Sequence, residues 1–182
     1  MKKLLLHVCC APCASSVLER LVSENIYDIT LFFSNSNILP EAEYIKRKEA
    51  LISFVSKVHP NIKIIFDEYN IQEFLDAVKG KESLPEGSLR CVSCISYRME
   101  KTAALAKNAG YDIFATTLTV SPHKNAKVIN EIGKELENKY NIEYLESDFK
   151  KKNGYLRSIE LCKEHNIYRQ NYCGCNNLTN IK

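Results

Sequence analysis

Residues 3–16 read KLLLHVCCAPCASS. The first half is a short apolar run, Leu4, Leu5, Leu6 and Val8, and it ends in Cys9, Cys10 and Cys13. Small residues follow at once, and Ser15 to Val22 carries the spacing of a helix. The order reads as a buried first strand, a loop and a helix N-terminus. Loops at the carboxyl ends of strands are where open α/β sheets bind ligands. The partial positive charge of a helix N-terminus also lowers the pKa of a nearby thiol. Pro12 suits the entry to that helix, because its ring fixes φ and the N–H it lacks is one the first turn leaves unpaired. The loop is a place for metal or redox chemistry.

Outward from this stretch the chain alternates between two periods. A helix is expected over 13–25, and 29–33 (ITLFF) is a second strand that runs into the polar loop 34–38 (SNSNI). Pro40 opens a charged helix over about 40–58, which His59, Pro60 and Asn61 break. Residues 62–66 form a third strand and 71–78 a short helix. The stretch 79–94, KGKESLPEGSLRCVSC, reads as an insertion marked by Pro and Gly turns, placed ahead of a helix over 95–109 that Gly110 closes. A fourth strand over 113–118 leads to Ser121, Pro122, His123, Lys124 and Asn125. A helix over 125–138, a strand over 142–145, a charged loop from Asp148 to Gly154 and a helix over 155–165 complete the pattern. A tail at about 168–182 carries Cys173, Gly174 and Cys175. The prediction is one α/β domain over 1–182, a three-layer sandwich with a mostly parallel five-stranded sheet. With right-handed crossovers the loops after strands one, two, four and five share one rim, which places Asp148 and His123 there with the first cysteines.

A chain of 182 residues is long enough to bury about 70% of its unfolded surface, so it needs no disulfides to fold. Its net charge of +3 argues only weakly for a polyanionic partner. No apolar stretch is long enough to span a bilayer. The run after Met1, Lys2 and Lys3 is cut short by His7 before it could serve as a signal peptide. A cytoplasmic protein without a membrane partner is expected. Eight cysteines then require a reason, since reducing compartments do not favour structural disulfides. Seven of them fall in three tight groups, CCAPC at 9–13, CVSC at 91–94 and CGC at 173–175, and Cys162 reads as a small buried hydrophobe.

Cys91 and Cys94 with thiolates from the first loop make a four-sulfur site, a count that suits tetrahedral zinc and an iron–sulfur cluster alike. Neighbouring residues of an extended chain point to opposite sides, so placing Cys9 and Cys10 on one small zinc ion would strain the backbone. A larger cluster, or two adjacent metals, accommodates them more easily. Cys13 is either a further ligand or a residue facing the helix. Cys173 and Cys175 read as a redox couple, with extra metal ligation as the competing role and a simple tail as the plain alternative. Tyr168, Arg169 and Tyr172 supply stacking and charge for a nucleic-acid substrate. Lys124 and Lys150 to Lys152 either contact phosphates or form a solvated face. Asp148 and His123 are each a proton donor, a ligand or a solvated loop residue. His7 reads as a core histidine, and His59 and His165 as surface ones.

Taken together, HVCCAPCASS at 7–16, FFSNSNI at 32–38, EYIKRK at 43–48, LRCVSCISYRM at 89–99, TTLTVSPHKN at 116–125 and YRQNYCGC at 168–175 resemble the QueH-type epoxyqueuosine reductases. These are cobalamin-independent enzymes of the last step of queuosine formation in transfer RNA. The resemblance implies a fold similar to that of the adenine-nucleotide alpha-hydrolases. The first loop here lacks their serine- and glycine-rich pyrophosphate loop, so no use of ATP is expected. It also implies a [4Fe–4S] cluster on Cys9, Cys10, Cys91 and Cys94 and a redox-active pair at Cys173 and Cys175, which includes the option of a disulfide. A second, mononuclear iron is expected beside the cluster, with Cys13 and Asp148 as its candidates. The expected reaction converts the epoxide of epoxyqueuosine to an alkene. Iron holds the departing oxygen, an unidentified donor supplies electrons, and Asp148, Tyr172 or His123 supplies a proton. The partner is the anticodon arm of a transfer RNA with its modified base turned out. A zinc-stabilised RNA-binding module and a cluster-dependent tRNA sulfur-transfer enzyme are the rival readings, the latter requiring ATP.

Overall fold

The computed structural model describes residues 1–180, the side chains at 177, 179 and 180 excepted; positions 181 and 182 of the expected tail lie outside the described residues. Five strands, β1 Lys2–His7, β2 Tyr27–Phe33, β3 Lys63–Phe66, β4 Ile113–Thr116 and β5 Glu143–Tyr144, form one sheet in the order β3-β2-β1-β4-β5. All four pairings among these strands are parallel. Six α-helices connect and cover them: α1 Ala11–Glu24, α2 Glu41–Val58, α3 Ile71–Ala77, α4 Leu89–Asn108, α5 Ala126–Tyr140 and α6 Gly154–Glu164.

β1 shows why this sequence makes three layers. Its apolar run does not alternate with polar residues because both faces of the strand are covered. Leu4, Leu6 and Val8 pack on one face with Val17 and Leu18 of α1 and Leu51 and Phe54 of α2. Leu5 points to the other face, where it meets Phe32, Phe114, Met99 of α4 and Ile129 of α5. Leu4, Leu5 and Leu6 are all fully buried, and each contributes about 1.5–3 kcal/mol relative to exposure. The expected α/β sandwich with a parallel five-stranded sheet is therefore what forms.

The strand order reverses at β1, with β2 on one side and β4 on the other. The chain leaves the ends of β1 and β4 in different directions, which opens a crevice between them, the usual ligand position in such sheets. Two boundaries differ from expectation near this crevice. β4 stops at Thr116, whose hydroxyl accepts from the N–H of Leu118 and starts a 3-10 turn, Thr117–Val120. α4 starts at Leu89 rather than at 95, because the Ser88 side chain accepts from the N–H of Arg90 and caps it. Cys91 and Cys94 thus lie in the first turns of the helix, three residues apart and on one face.

Candidate metal and redox centre

β1 delivers the first thiols to the crevice. His7 at its end is fully buried; its Nε2–H donates to the carbonyl of Ser34 at 3.3 Å, leaving Nδ1 to accept from the Thr116 hydroxyl at 3.0 Å. Burial, assisted by Arg98, lowers its pKa to about 3, so it is a neutral core histidine as expected. The N–H of Cys9 donates to Thr117 Oγ1 at 3.3 Å, Cys10 is the N-cap of α1, and Cys13 lies in the first turn of that helix. The sulfurs of Cys9, Cys10 and Cys13 all lie within 4.8 Å of one another. Cys9 Sγ and Cys10 Sγ are 3.7 Å apart, so the expectation that neighbouring cysteines would point apart does not hold where the chain turns into α1. Hydrogen bonds from Cys10 and Cys13 hold the Cys9 thiol well below its usual range, against burial, with help from Thr117 and Arg98. Donation to Cys10 and Cys9, together with burial, pushes the Cys13 thiol up.

The other thiols meet one another. Cys94 is buried in an apolar cluster with Leu39, Phe74 and Cys175, against which Cys173 packs. Burial pushes the Cys94 thiol up, and Arg98 opposes that. Cys91 is half-buried and its sulfur accepts from the N–H of Gly87 at 3.2 Å. Cys173 Sγ and Cys175 Sγ are 3.8 Å apart. Both are free thiols in this structure. Donation from Cys175, aided by Lys124 and Arg98, lowers the Cys173 pKa to about 4, while Cys175 is shifted up by that same bond and by burial. The tail is held by backbone and by α2. Leu39 N–H donates to the carbonyl of Gly174 at 2.9 Å, and Arg47 Nη2 donates to the carbonyl of Tyr172 at 3.1 Å. Arg47 Nε pairs with Glu43 at 2.7 Å, and Glu43 accepts from the Tyr168 hydroxyl. Cys162 is buried, as a hydrophobe would be.

A cavity of about 600 Å³ joins these parts, with Cys9, Cys10, Cys13 and Cys173 in its lining together with Arg98 and Lys124. Tyr172 and His123 line it too, His123 from an exposed position. Asp148, expected on the rim with the first cysteines, instead lines a separate groove of about 810 Å³, where its carboxylate is 3.7 Å from the ammonium of Lys151 and 4.0 Å from that of Lys150. Cys91 and Cys94 do not appear in the cavity lining; Cys94 connects to it through Cys173 and Arg98. An all-sulfur donor set is what zinc and iron–sulfur groups take. Thiolates about 2.3 Å from a tetrahedral ion stand about 3.8 Å apart, and the Cys9–Cys10 spacing of 3.7 Å is of that size. The residues present fit a thiolate-bound metal. Thr117, Asn35 and Arg98 are the neighbours that sequence reasoning missed. All three sit inside the motifs given above, and for Arg98 its place one turn after Cys94 on a helix is the available signal.

A family model described as "Epoxyqueuosine reductase QueH" matches residues 4–178. The chain is 47% identical over 176 residues to an epoxyqueuosine reductase QueH of Streptococcus pyogenes, covering 94% of this chain and 68% of that one. It is 41% identical over 178 residues to the protein of the same name from Thermotoga maritima, covering 96% and 89%. A solved structure described as a predicted subunit of tRNA methyltransferase from Methanocaldococcus jannaschii superposes with a TM-score of 0.53 at 16% identity, covering 88% of this chain and 76% of that one. That likeness concerns the fold alone, the α/β sandwich on a parallel sheet. No helix among the described residues is long and apolar enough to cross a membrane. With a family match over nearly its whole described length and a crevice lined by thiols, the chain belongs to the epoxyqueuosine reductase QueH family.

Proposed function

We propose that the chain reduces epoxyqueuosine to queuosine in transfer RNA, the last step of making that base, as a cytoplasmic iron–sulfur enzyme. The observation that carries this reading is the meeting of thiols from the loop after β1, the start of α4 and the tail at and beside one cavity, in a chain of this family. Conversion of the epoxide to an alkene releases its oxygen as water and consumes two electrons and two protons. In this reading Cys9, Cys10, Cys91 and Cys94 hold a [4Fe–4S] cluster. Cys13 offers a further thiol for a second iron, and Asp148 an oxygen donor if its loop turns from the groove it lines towards the thiols. When bound, iron supplies Lewis acidity towards the epoxide oxygen and a path for single electrons.

The chain's own groups do the rest. Cys173 and Cys175, two residues apart, release two electrons and two protons on forming a disulfide, which matches what the deoxygenation consumes. A donor outside the chain, not yet identified, returns them to the thiol form. Tyr172 and His123, which line the cavity, would hand a proton to the departing oxygen, with Asp148 as the alternative donor. Lys124 and Arg169 on the cavity wall meet phosphates of the anticodon arm, and Tyr172 stacks on the base turned out of it.

The test is anaerobic purification, iron and sulfide analysis, and an assay on epoxyqueuosine-containing transfer RNA with dithionite. A brown, iron-loaded protein that forms queuosine is expected. A colourless, zinc-loaded protein inert towards that RNA overturns the reading and leaves the zinc-stabilised RNA-binding module.

A further inference from the structure

Arg98 carries a charge that the fold does not balance. It stands one turn beyond Cys94 on α4 and is only 3% exposed. Its Nε donates to the carbonyl of Cys94 at 3.4 Å and its Nη1 to Oδ1 of Asn35 at 3.2 Å. Both acceptors are neutral, and among the described residues no carboxylate lies within ion-pair distance of the guanidinium. The buried Arg47 shows the contrast, since Glu43 pairs with it at 2.7 Å. Arg90 is also buried without a carboxylate, but it bears on Cys175 and does not line the cavity. An isolated buried cation is costly in a low-dielectric interior, so an anion should be near. The anionic groups that act on Arg98 are sulfurs, those of Cys94, Cys9, Cys173 and Cys175; it shares the cavity wall with Cys9, Cys10, Cys13 and Cys173, and with Glu86, which forms no ion pair with it.

We propose that Arg98 is the internal counter-charge of the thiol centre, a positioning residue that raises the potential at which the group held there accepts an electron. The inference rests on the iron–sulfur reading above. A cation beside a redox group favours the state with one more negative charge, and burial removes most of the screening that salt would provide. The same side chain also joins two thiol segments. Asn35, which accepts from Arg98, donates through Nδ2 to the carbonyl of Val8 at 2.8 Å, directly ahead of Cys9. Arg98 therefore links α4 at Cys94 to the loop after β1 by charge and by a fork of hydrogen bonds. Lys keeps the charge without the fork, and Gln keeps neither the charge nor the full fork.

The experiment compares the full chain with its R98K and R98Q variants, each purified without oxygen. It measures iron and sulfide per chain and the midpoint potential by dye-mediated titration; turnover plays no part. R98K should load as the native chain does and keep its potential. R98Q should load with a midpoint lowered by at least about 60 mV, a tenfold change in a one-electron equilibrium. R98K that loads while R98Q stays metal-free also supports the proposal, because charge is what separates them. An unshifted R98Q, an R98K shifted as far as R98Q, or two metal-free variants overturn it, the last because the fork and not the charge would then matter. A native chain that takes up no iron removes this inference together with the iron–sulfur reading. If the native chain loads and R98Q shows the shift, while the native chain leaves epoxyqueuosine untouched in the separate RNA assay above, the proposed reaction alone is removed.

Discussion

Gly174, between Cys173 and Cys175, has no room for a side chain. An added Cβ would stand 2.7 Å from Ile38 Cγ1 and 2.9 Å from Ile38 Cα, and the backbone contact cannot be relieved by a change of rotamer. Gly174→Ala should therefore push the tail off the loop after β2, at an overpacking cost of about 1–3 kcal/mol. Faster alkylation of Cys173 and faster hydrogen exchange at the Leu39 amide, which donates to Gly174, would record it; unchanged rates would show that the tail accommodates the methyl. Cys173→Ser tests the pair itself. Iron content should stay at the native level, turnover with dithionite should persist and turnover with a thiol reductant should be lost, all read from queuosine in digests of the RNA; loss of iron would instead make Cys173 a ligand. At this scale the thiols are legible in the sequence because their clustering is local. Arg98, Asn35 and Thr117 are not, because each acquires its meaning from a partner 27 to 108 residues away.

The helices divide in the same way. α1, α2 and α5 show in the sequence as apolar residues at helical spacing, and their ends fall within a few residues of expectation. α4 begins six residues earlier than the sequence pattern indicates, since Pro85 and Gly87 mark a turn and only the Ser88 cap reveals that the helix has already started. That shift matters for the site, because it turns Cys91 and Cys94 from loop thiols into helix-face thiols. α2 contributes a feature that helical spacing cannot show: the buried pair Glu43–Arg47, which grips the tail at Tyr168 and Tyr172. Breaking a buried pair leaves one charge uncompensated, at a cost of about 3–5 kcal/mol. Arg47→Met should lower the urea midpoint accordingly and expose the segment around Tyr172 to protease. Replacing Glu43 by Met as well should recover much of the loss, and a double variant as unstable as the single one would assign the effect to the lost bond to the Tyr172 carbonyl.

Across the whole molecule, the sheet order decides what metal binding must do to stability. The reversal at β1 brings together segments that are far apart in the chain, the loop at Cys9, the start of α4 and the tail at Cys173, and the apolar packing around Cys94, Cys173 and Cys175 is a small cluster apart from the two main cores. Metal held by thiolates binds the folded arrangement and not the separated segments, so its binding free energy adds to folding stability. The increment is about 4 kcal/mol when free metal exceeds its dissociation constant a thousandfold. Removal of metal by an anaerobic chelator should therefore lower the thermal midpoint. The β-sheet core should be spared, because Leu4, Leu5, Leu6 and Phe114 are buried independently of any sulfur. Hydrogen exchange should accordingly rise at the start of α4 and around Gly174, while β1 and β4 keep their protection. Uniform loss of protection through the sheet would mean that the metal holds the core itself. No change at either thiol segment would mean that the crevice is formed without metal, and that the thiol positions at 9, 10 and 13 are preorganised by β1 and α1 alone.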